Sequence, residues 1–170
     1  MVTKEAVLQV LHTINDPEMP ISIVDLGIVE NVEIEASASR DALAPRVAGP
    51  SCAKVIIDLL PTFIGCPALQ AIEEEVRRRV GAVPGVAQAV VHFRFDPPWT
   101  VDRISPRGRE ALRQIGVTVP DQQQPAAPSC PFCGSAGVHL ESPFGPTRCR
   151  MIYYCDSCRN SFEHMKSVRA

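Results

Sequence analysis

The chain has 170 residues, 45% of them hydrophobic, and a formal net charge of −2, which is enough apolar material for one core and a small satellite module. That balance supplies no overall attraction for nucleic acid or an anionic membrane surface, no apolar run reaches the roughly 20 residues a membrane helix needs, and the N-terminus has no signal-peptide core. A cytoplasmic chain is expected, and in a reducing compartment its seven cysteines suit metal thiolates better than disulfides.

After Thr3, a residue suited to capping, Val7, Val10, Leu11 and Ile14 recur at helical spacing and predict a helix over 4–14. The run Asn15-Asp16-Pro17-Glu18-Met19-Pro20 breaks it with two prolines. Asp25-Leu26-Gly27 then turns the chain into a strand over 28–35, where Val32 and Ile34 alternate with acids. Residues 36–52, rich in Ala, Ser, Pro and Gly, read as a mobile hairpin connection that ends near Cys52. A compact apolar strand follows over 53–60. Pro61-Thr62-Phe63-Ile64-Gly65-Cys66 leads into Pro67, a residue favoured at the first helical position, and Leu69, Ile72, Val76 and Val80 form the stripe of a helix over 67–80. Glu73, Glu74 and Glu75 precede Arg77, Arg78 and Arg79 by four residues each, which predicts a solvated face of ion pairs.

Val86 to Phe95 alternates as a third strand, with Ala89, Val91, Phe93 and Phe95 on one face. Asp96-Pro97-Pro98-Trp99 closes it. Ser105-Pro106 starts a short helix carrying Ala111, Leu112 and Ile115, and Gly116 stops it. The order helix, strand, strand, helix, strand, helix predicts a small α/β (α+β) layer over 1–119, with helices on a three-stranded mixed sheet. A polar linker at 120–128 separates it from a second module at 129–170.

That second module holds Cys130-Pro131-Phe132-Cys133 and Cys155-Asp156-Ser157-Cys158. Each pair places two thiolates on a tight turn, where both sulfurs reach one ion at about 2.3 Å, so the four cysteines predict a structural Zn²⁺ in a zinc ribbon. Arg148 to Tyr154 supplies a strand leading into the second knuckle. A segment this small has little core of its own, so the metal supplies the missing stability. Cys149, six residues before Cys155, fits no knuckle and reads as a free or functional thiol. His139 and His164 stay outside the ligand set.

Cys66 stands at the predicted start of a helix, where unpaired N–H groups and the helix dipole favour a thiolate. A thiolate serves a nucleophile or a soft-metal ligand, while the alternative role is a small buried hydrophobe. Asp16, Glu18 and Asp25 lie in the Pro-rich loop, and the sequence alone does not bring them to Cys66. No catalytic triad order, P-loop or dinucleotide fingerprint is present.

Three segments together, Asp16-Pro17-Glu18-Met19-Pro20 with Ser22-Ile23-Val24-Asp25-Leu26-Gly27, then Pro61-Thr62-Phe63-Ile64-Gly65-Cys66-Pro67, then Asp96-Pro97-Pro98-Trp99, resemble the metal-sulfur cluster assembly domain family over residues 3–117. With Ser142-Pro143-Phe144-Gly145-Pro146-Thr147-Arg148-Cys149 and the two knuckles, nearly the whole chain is similar to a family of accessory proteins of bacterial phenylacetate degradation. The resemblance implies a non-catalytic accessory of the phenylacetyl-CoA monooxygenase (epoxidase) system. Its expected partners are the reductase component, whose [2Fe–2S] centre it would mature, and the oxygenase complex. It also implies transient iron or iron–sulfur cluster binding at Cys66, with Asp16, Glu18 and Asp25 in the family's acidic motif and Cys149 as a second transient ligand. A single exposed cysteine does not hold a cluster permanently, so ligands from a homodimer or from a client would complete it. Two other classes compete. A thiol or redox enzyme using Cys66 predicts a depressed thiol pKa. A ribbon that grips nucleic acid predicts that Arg148, Arg150, Tyr153, Tyr154, Arg159, Lys166 and Arg169 form one basic and aromatic face.

Overall fold

A computed structural model describes residues 1–36, 53–121 and 127–166. The connection expected after the first strand, Cys52 and the centre of the polar linker lie outside the described residues. Helix α1 (Lys4–His12) begins where the Thr3 hydroxyl accepts the Ala6 N–H at 3.2 Å, and it buries Val7 and Leu11. It ends before Ile14, because that residue already belongs to the next turn: its carbonyl accepts the Ile23 N–H at 2.9 Å.

Strand β1 (Val29–Ala36) runs antiparallel to β2 (Ala53–Leu59), which runs parallel to β3 (Val86–Phe93), giving the order β1-β2-β3. The central strand alternates as a one-sided sheet requires, with Val55, Ile57 and Leu59 fully buried and Lys54, Ile56 and Asp58 half-buried. The parallel step from β2 to β3 is made through α2 (Ala68–Gly81). This is the helix-on-mixed-sheet layer that the element order predicts.

Three details differ from the sequence expectation. The buried stripe of α2 is Ala68, Ile72, Val76 and Val80, and Leu69 is only half-buried. The charged face is not three parallel pairs: Arg77 pairs with Glu73 at 2.6 Å, both Arg78 and Arg79 converge on Glu75, and Glu74 instead accepts from Gln70. Residues three and four apart are both neighbours on a helix, so Arg78 has a choice of partners. Phe95 lies beyond the end of β3 and is 56% exposed, because only the paired stretch to Phe93 faces the core.

The segment after β3 folds back over the layer. The Trp99 indole N–H donates to the buried Leu26 carbonyl at 3.0 Å. Helix α3 (Pro106–Gln114) is capped by Ser105, whose hydroxyl accepts the Gly108 N–H and donates to Asp25 Oδ1 at 2.7 Å.

A second sheet contains β4 (Val117–Thr118), β5 (Val138–Ser142), β6 (Arg150–Cys155) and β7 (Ser161–Met165) in the order β4-β7-β6-β5. Strand β4 follows α3 directly and pairs in parallel with β7, Val117 opposite Glu163 and Thr118 opposite His164. A two-residue strand carries no periodicity, so sequence reasoning had no signal for it. Met165, fully buried, joins the core of the first layer. Gly116 turns at φ +80°, and a Cβ there would meet the Phe132 ring at 2.9 Å, so the first knuckle packs directly on this turn.

His164 marks the same junction, with Nδ1 2.8 Å from Thr118 Oγ1. Burial disfavours its charged form and lowers its pKa from 6.5 to about 4. Because the folded value lies below the unfolded one, the stability it contributes is complete above pH 6.5 and is lost as pH falls toward 4. With partial solvent screening this amounts to about 1–2 kcal/mol. Thermal unfolding followed against pH should show a steeper acid loss across that window than in a His164→Gln chain. Identical profiles for the two would remove His164 as its source.

Candidate metal sites

The two knuckles form by the same backbone device. The Gly134 N–H donates to the Cys130 carbonyl and the Arg159 N–H to the Cys155 carbonyl, each at 2.9 Å. Gly134 and Arg159 both take positive φ, +75° and +61°. A further hydrogen bond ties the turns together, Ser135 Oγ to Ser157 Oγ at 2.8 Å.

The turns bring Cys130, Cys133, Cys155 and Cys158 together with all four sulfurs within 4.8 Å of one another. Cys130 and Cys158 stand 3.6 Å apart, as do Cys133 and Cys155. Four sulfurs at 2.3 Å from a tetrahedral ion would be about 3.8 Å apart, so the set fits a closed, structural Zn²⁺ site. The separations are far too long for disulfides. Asn160 donates its side-chain N–H to Cys158 Sγ, which favours a thiolate within the group, while the surrounding thiols push Cys133 the other way, so the four do not all ionise without a cation. His139 pairs with Asp156 at 3.1 Å and His164 with Thr118, so neither histidine belongs to the group.

Where the two modules meet, Arg150, the residue after Cys149, reaches the Glu18 carbonyl at 3.5 Å, and the charges of Glu18, Asp16 and Cys149 act on the Cys66 thiol. Cys66 is half-buried at the approach to α2. Burial pushes its thiol pKa up, the Ala68 N–H opposes this, and Glu18, Asp16 and Cys149 push it further up. The helix start therefore does not generate a thiolate, contrary to the expectation from sequence, because desolvation and two carboxylates outweigh one N–H. Asp16 is buried, and its Oδ1 accepts the N–H groups of Glu18 and Met19 at 2.8 and 2.9 Å. Burial raises its pKa, and these two bonds together with the Arg150 charge pull it back.

Cys149 is buried just before β6, with its sulfur 3.1 Å from Thr147 Oγ1. Asp25 is committed elsewhere. Besides Ser105, it faces His12 at 3.9 Å and Arg107 at 3.8 Å, so it anchors α3. Among the described residues only the four knuckle cysteines form a ligand set within 4.8 Å, and the Cys66 group is open by comparison. Ile64 and Phe144, on the loops leading into Cys66 and Cys149, are 75% and 76% exposed.

The basic and aromatic tail does not assemble as one face. Arg150 is buried and paired with Glu163 at 2.5 Å, Tyr153 stacks on Phe162, and Lys166 sits over Phe144 at 5.3 Å. Arg169 lies outside the described residues.

A mixed α+β layer joined to a four-cysteine ribbon, with further free thiols in both, defines a protein equipped with thiol ligands for metal. Residues 4–92 match the family model described as iron-sulfur cluster assembly protein, and residues 103–166 match the PaaD zinc beta ribbon domain. The chain belongs to the iron-sulfur cluster assembly protein family and carries that ribbon.

A relative from Escherichia coli K12, named as a candidate component of 1,2-phenylacetyl-CoA epoxidase, is 33% identical over 93% of this chain and 89% of its own. An Fe-S protein maturation auxiliary factor from Bacillus subtilis is 31% identical over 64% of this chain and 92% of its own. A crystal structure of a domain of unknown function from Bacillus anthracis shares 28% identity, with a TM-score of 0.50, covering 64% of this chain and 90% of that one.

Because the ribbon's last strand also serves the first layer's core, loss of its metal should propagate. In a Cys155→Ser chain, hydrogen exchange should speed up throughout β5–β7 and at Val117–Thr118, while β2 keeps its protection. Unchanged exchange at Val117–Thr118 would show that the junction forms without the ion.

Proposed function

We propose that the chain is a cytoplasmic, non-catalytic maturation factor that receives iron or a [2Fe–2S] cluster at Cys66 and passes it to the reductase component of a phenylacetyl-CoA monooxygenase (epoxidase). The four-cysteine ribbon holds a structural Zn²⁺ that keeps the second module folded. The observation that carries this reading is the junction itself, where Arg150 beside Cys149 reaches the Glu18 carbonyl at 3.5 Å and the charges of Glu18, Asp16 and Cys149 act on the Cys66 thiol.

Thiols select iron and iron–sulfur clusters, and carboxylates add charge that attracts a cation. Two thiols are fewer than the four thiolates that hold a cluster permanently, so the remaining positions fall to the client or to a second copy of the chain. Cargo held this way is released when the client's own cysteines replace them. The raised Cys66 pKa argues against a thiol nucleophile, which needs the opposite shift, but suits a ligand whose proton leaves only as the metal arrives. The burial of Arg150 argues against a nucleic-acid grip by the ribbon. Membership of the iron-sulfur cluster assembly family and the name of the Escherichia coli relative support the maturation role and the oxygenase client. The exposed Ile64 and Phe144 offer that client apolar contact beside the thiols.

The test compares the natural chain with Cys66→Ser, both purified without oxygen. Each should contain about one zinc per chain. Only the natural chain should carry substoichiometric iron and sulfide and restore cluster content to the apo-reductase. If Cys66→Ser restores the reductase equally well, the carrier role at Cys66 is wrong.

A further inference from the structure

We infer that Arg150 is a positioning residue that fixes Cys149 of the ribbon beside Cys66 and the acidic loop, making the ribbon a working half of the transfer site. The inference rests on the carrier reading above.

Arg150 opens β6 and is 6% exposed. A buried guanidinium costs several kcal/mol in desolvation unless its donors are satisfied, and even then its net stabilisation is small. What it does supply is orientation, through a rigid planar fork. Here the fork reaches three elements. One terminal nitrogen pairs with Glu163 of β7 at 2.5 Å, Nε donates to Thr147 Oγ1 at 2.7 Å, and the other terminal nitrogen reaches the Glu18 carbonyl at 3.5 Å.

The same Thr147 oxygen that accepts from Arg150 lies 3.1 Å from Cys149 Sγ. Backbone bonds close the frame. The Arg150 N–H donates to the Thr147 carbonyl at 3.2 Å, the Gly145 N–H to the Arg150 carbonyl at 3.0 Å, and the Lys166 N–H to the Cys149 carbonyl at 2.8 Å. An unbroken set of contacts thus runs from β7 through Arg150 to the thiol on one side and to the Asp16–Glu18 loop on the other.

Cobalt(II) added to the zinc-loaded full-length chain under anaerobic conditions tests this, because the near-ultraviolet thiolate-to-cobalt absorption scales with the number of thiolate ligands. The natural chain should show a second cobalt site whose intensity falls to about half, one thiolate of two, in Cys66→Ser and in Cys149→Ser alike. Arg150→Gln should give the same half intensity with its zinc retained, and Arg150→Lys should recover part of the loss. In the Cys149→Ser background, Arg150→Gln should cause no further drop, an outcome that general damage to the fold would not produce.

Full intensity in a zinc-retaining Arg150→Gln chain overturns the inference, as does a further drop in the Cys149→Ser background. If Arg150→Gln loses its zinc, Thr147→Val, which removes only the hydroxyl between the guanidinium and the thiol, decides: half intensity supports the inference and full intensity overturns it. A natural chain with no second cobalt site would remove the carrier reading itself. A Cys66-dependent band indifferent to both Cys149→Ser and Arg150→Gln removes only the positioning role.

Discussion

The parallel pairing of Val117–Thr118 with Glu163–His164 ties the segment leaving α3 to the last strand of the ribbon, and the buried Met165 side chain at the end of β7 sinks into the first core beside it. A ribbon of this size has too little apolar surface to fold on its own. Its cross-link through four sulfurs and its shared core residue therefore act on one cooperative unit rather than on two independent ones. Because the last strand of the ribbon is also a neighbour of the first layer, an ion closing the knuckles would help to order the junction. Phe132, packed on Gly116 from within the first knuckle, adds a second point of contact close to the metal ligands.

The thiol group at the junction shows how one environment selects among chemistries. A helix start alone lowers a thiol pKa, yet here burial and the Glu18 and Asp16 carboxylates move Cys66 the other way. A resting thiol so placed is poorly reactive toward electrophiles and protected from oxidation by its proton. The same negative surroundings that hold the proton favour its replacement by a cation. Arg150 opposes the accumulation of negative charge only weakly, since burial still keeps the Asp16 pKa raised against its charge and two backbone N–H bonds. Among the described residues these groups form no preassembled cage, in contrast to the four knuckle sulfurs within 4.8 Å of one another.

Asp25 illustrates why a motif residue need not be a ligand. The turn that contains it resembles the family's acidic motif, but its carboxylate and carbonyl are both taken by Ser105, which starts α3. Its place in the chain thus serves the architecture that carries Trp99 and α3 over the layer.

Much of the molecule was legible in its sequence. Helical spacing located α1, α2 and α3 to within two residues, alternation and one compact apolar run located the strands of the first sheet, and the two Cys-x-x-Cys turns picked out four cysteines that the fold brings together. These features are local, governed by backbone periodicity and turn chemistry, so one-dimensional spacing is sufficient to read them. The partner of Arg78, the two-residue strand β4, the contact of Arg150 with the Glu18 loop and the direction of the Cys66 pKa shift were decided only by tertiary structure. Each depends on which residues distant in sequence become neighbours and on how much water they lose in doing so, and neither quantity is written in spacing along the chain.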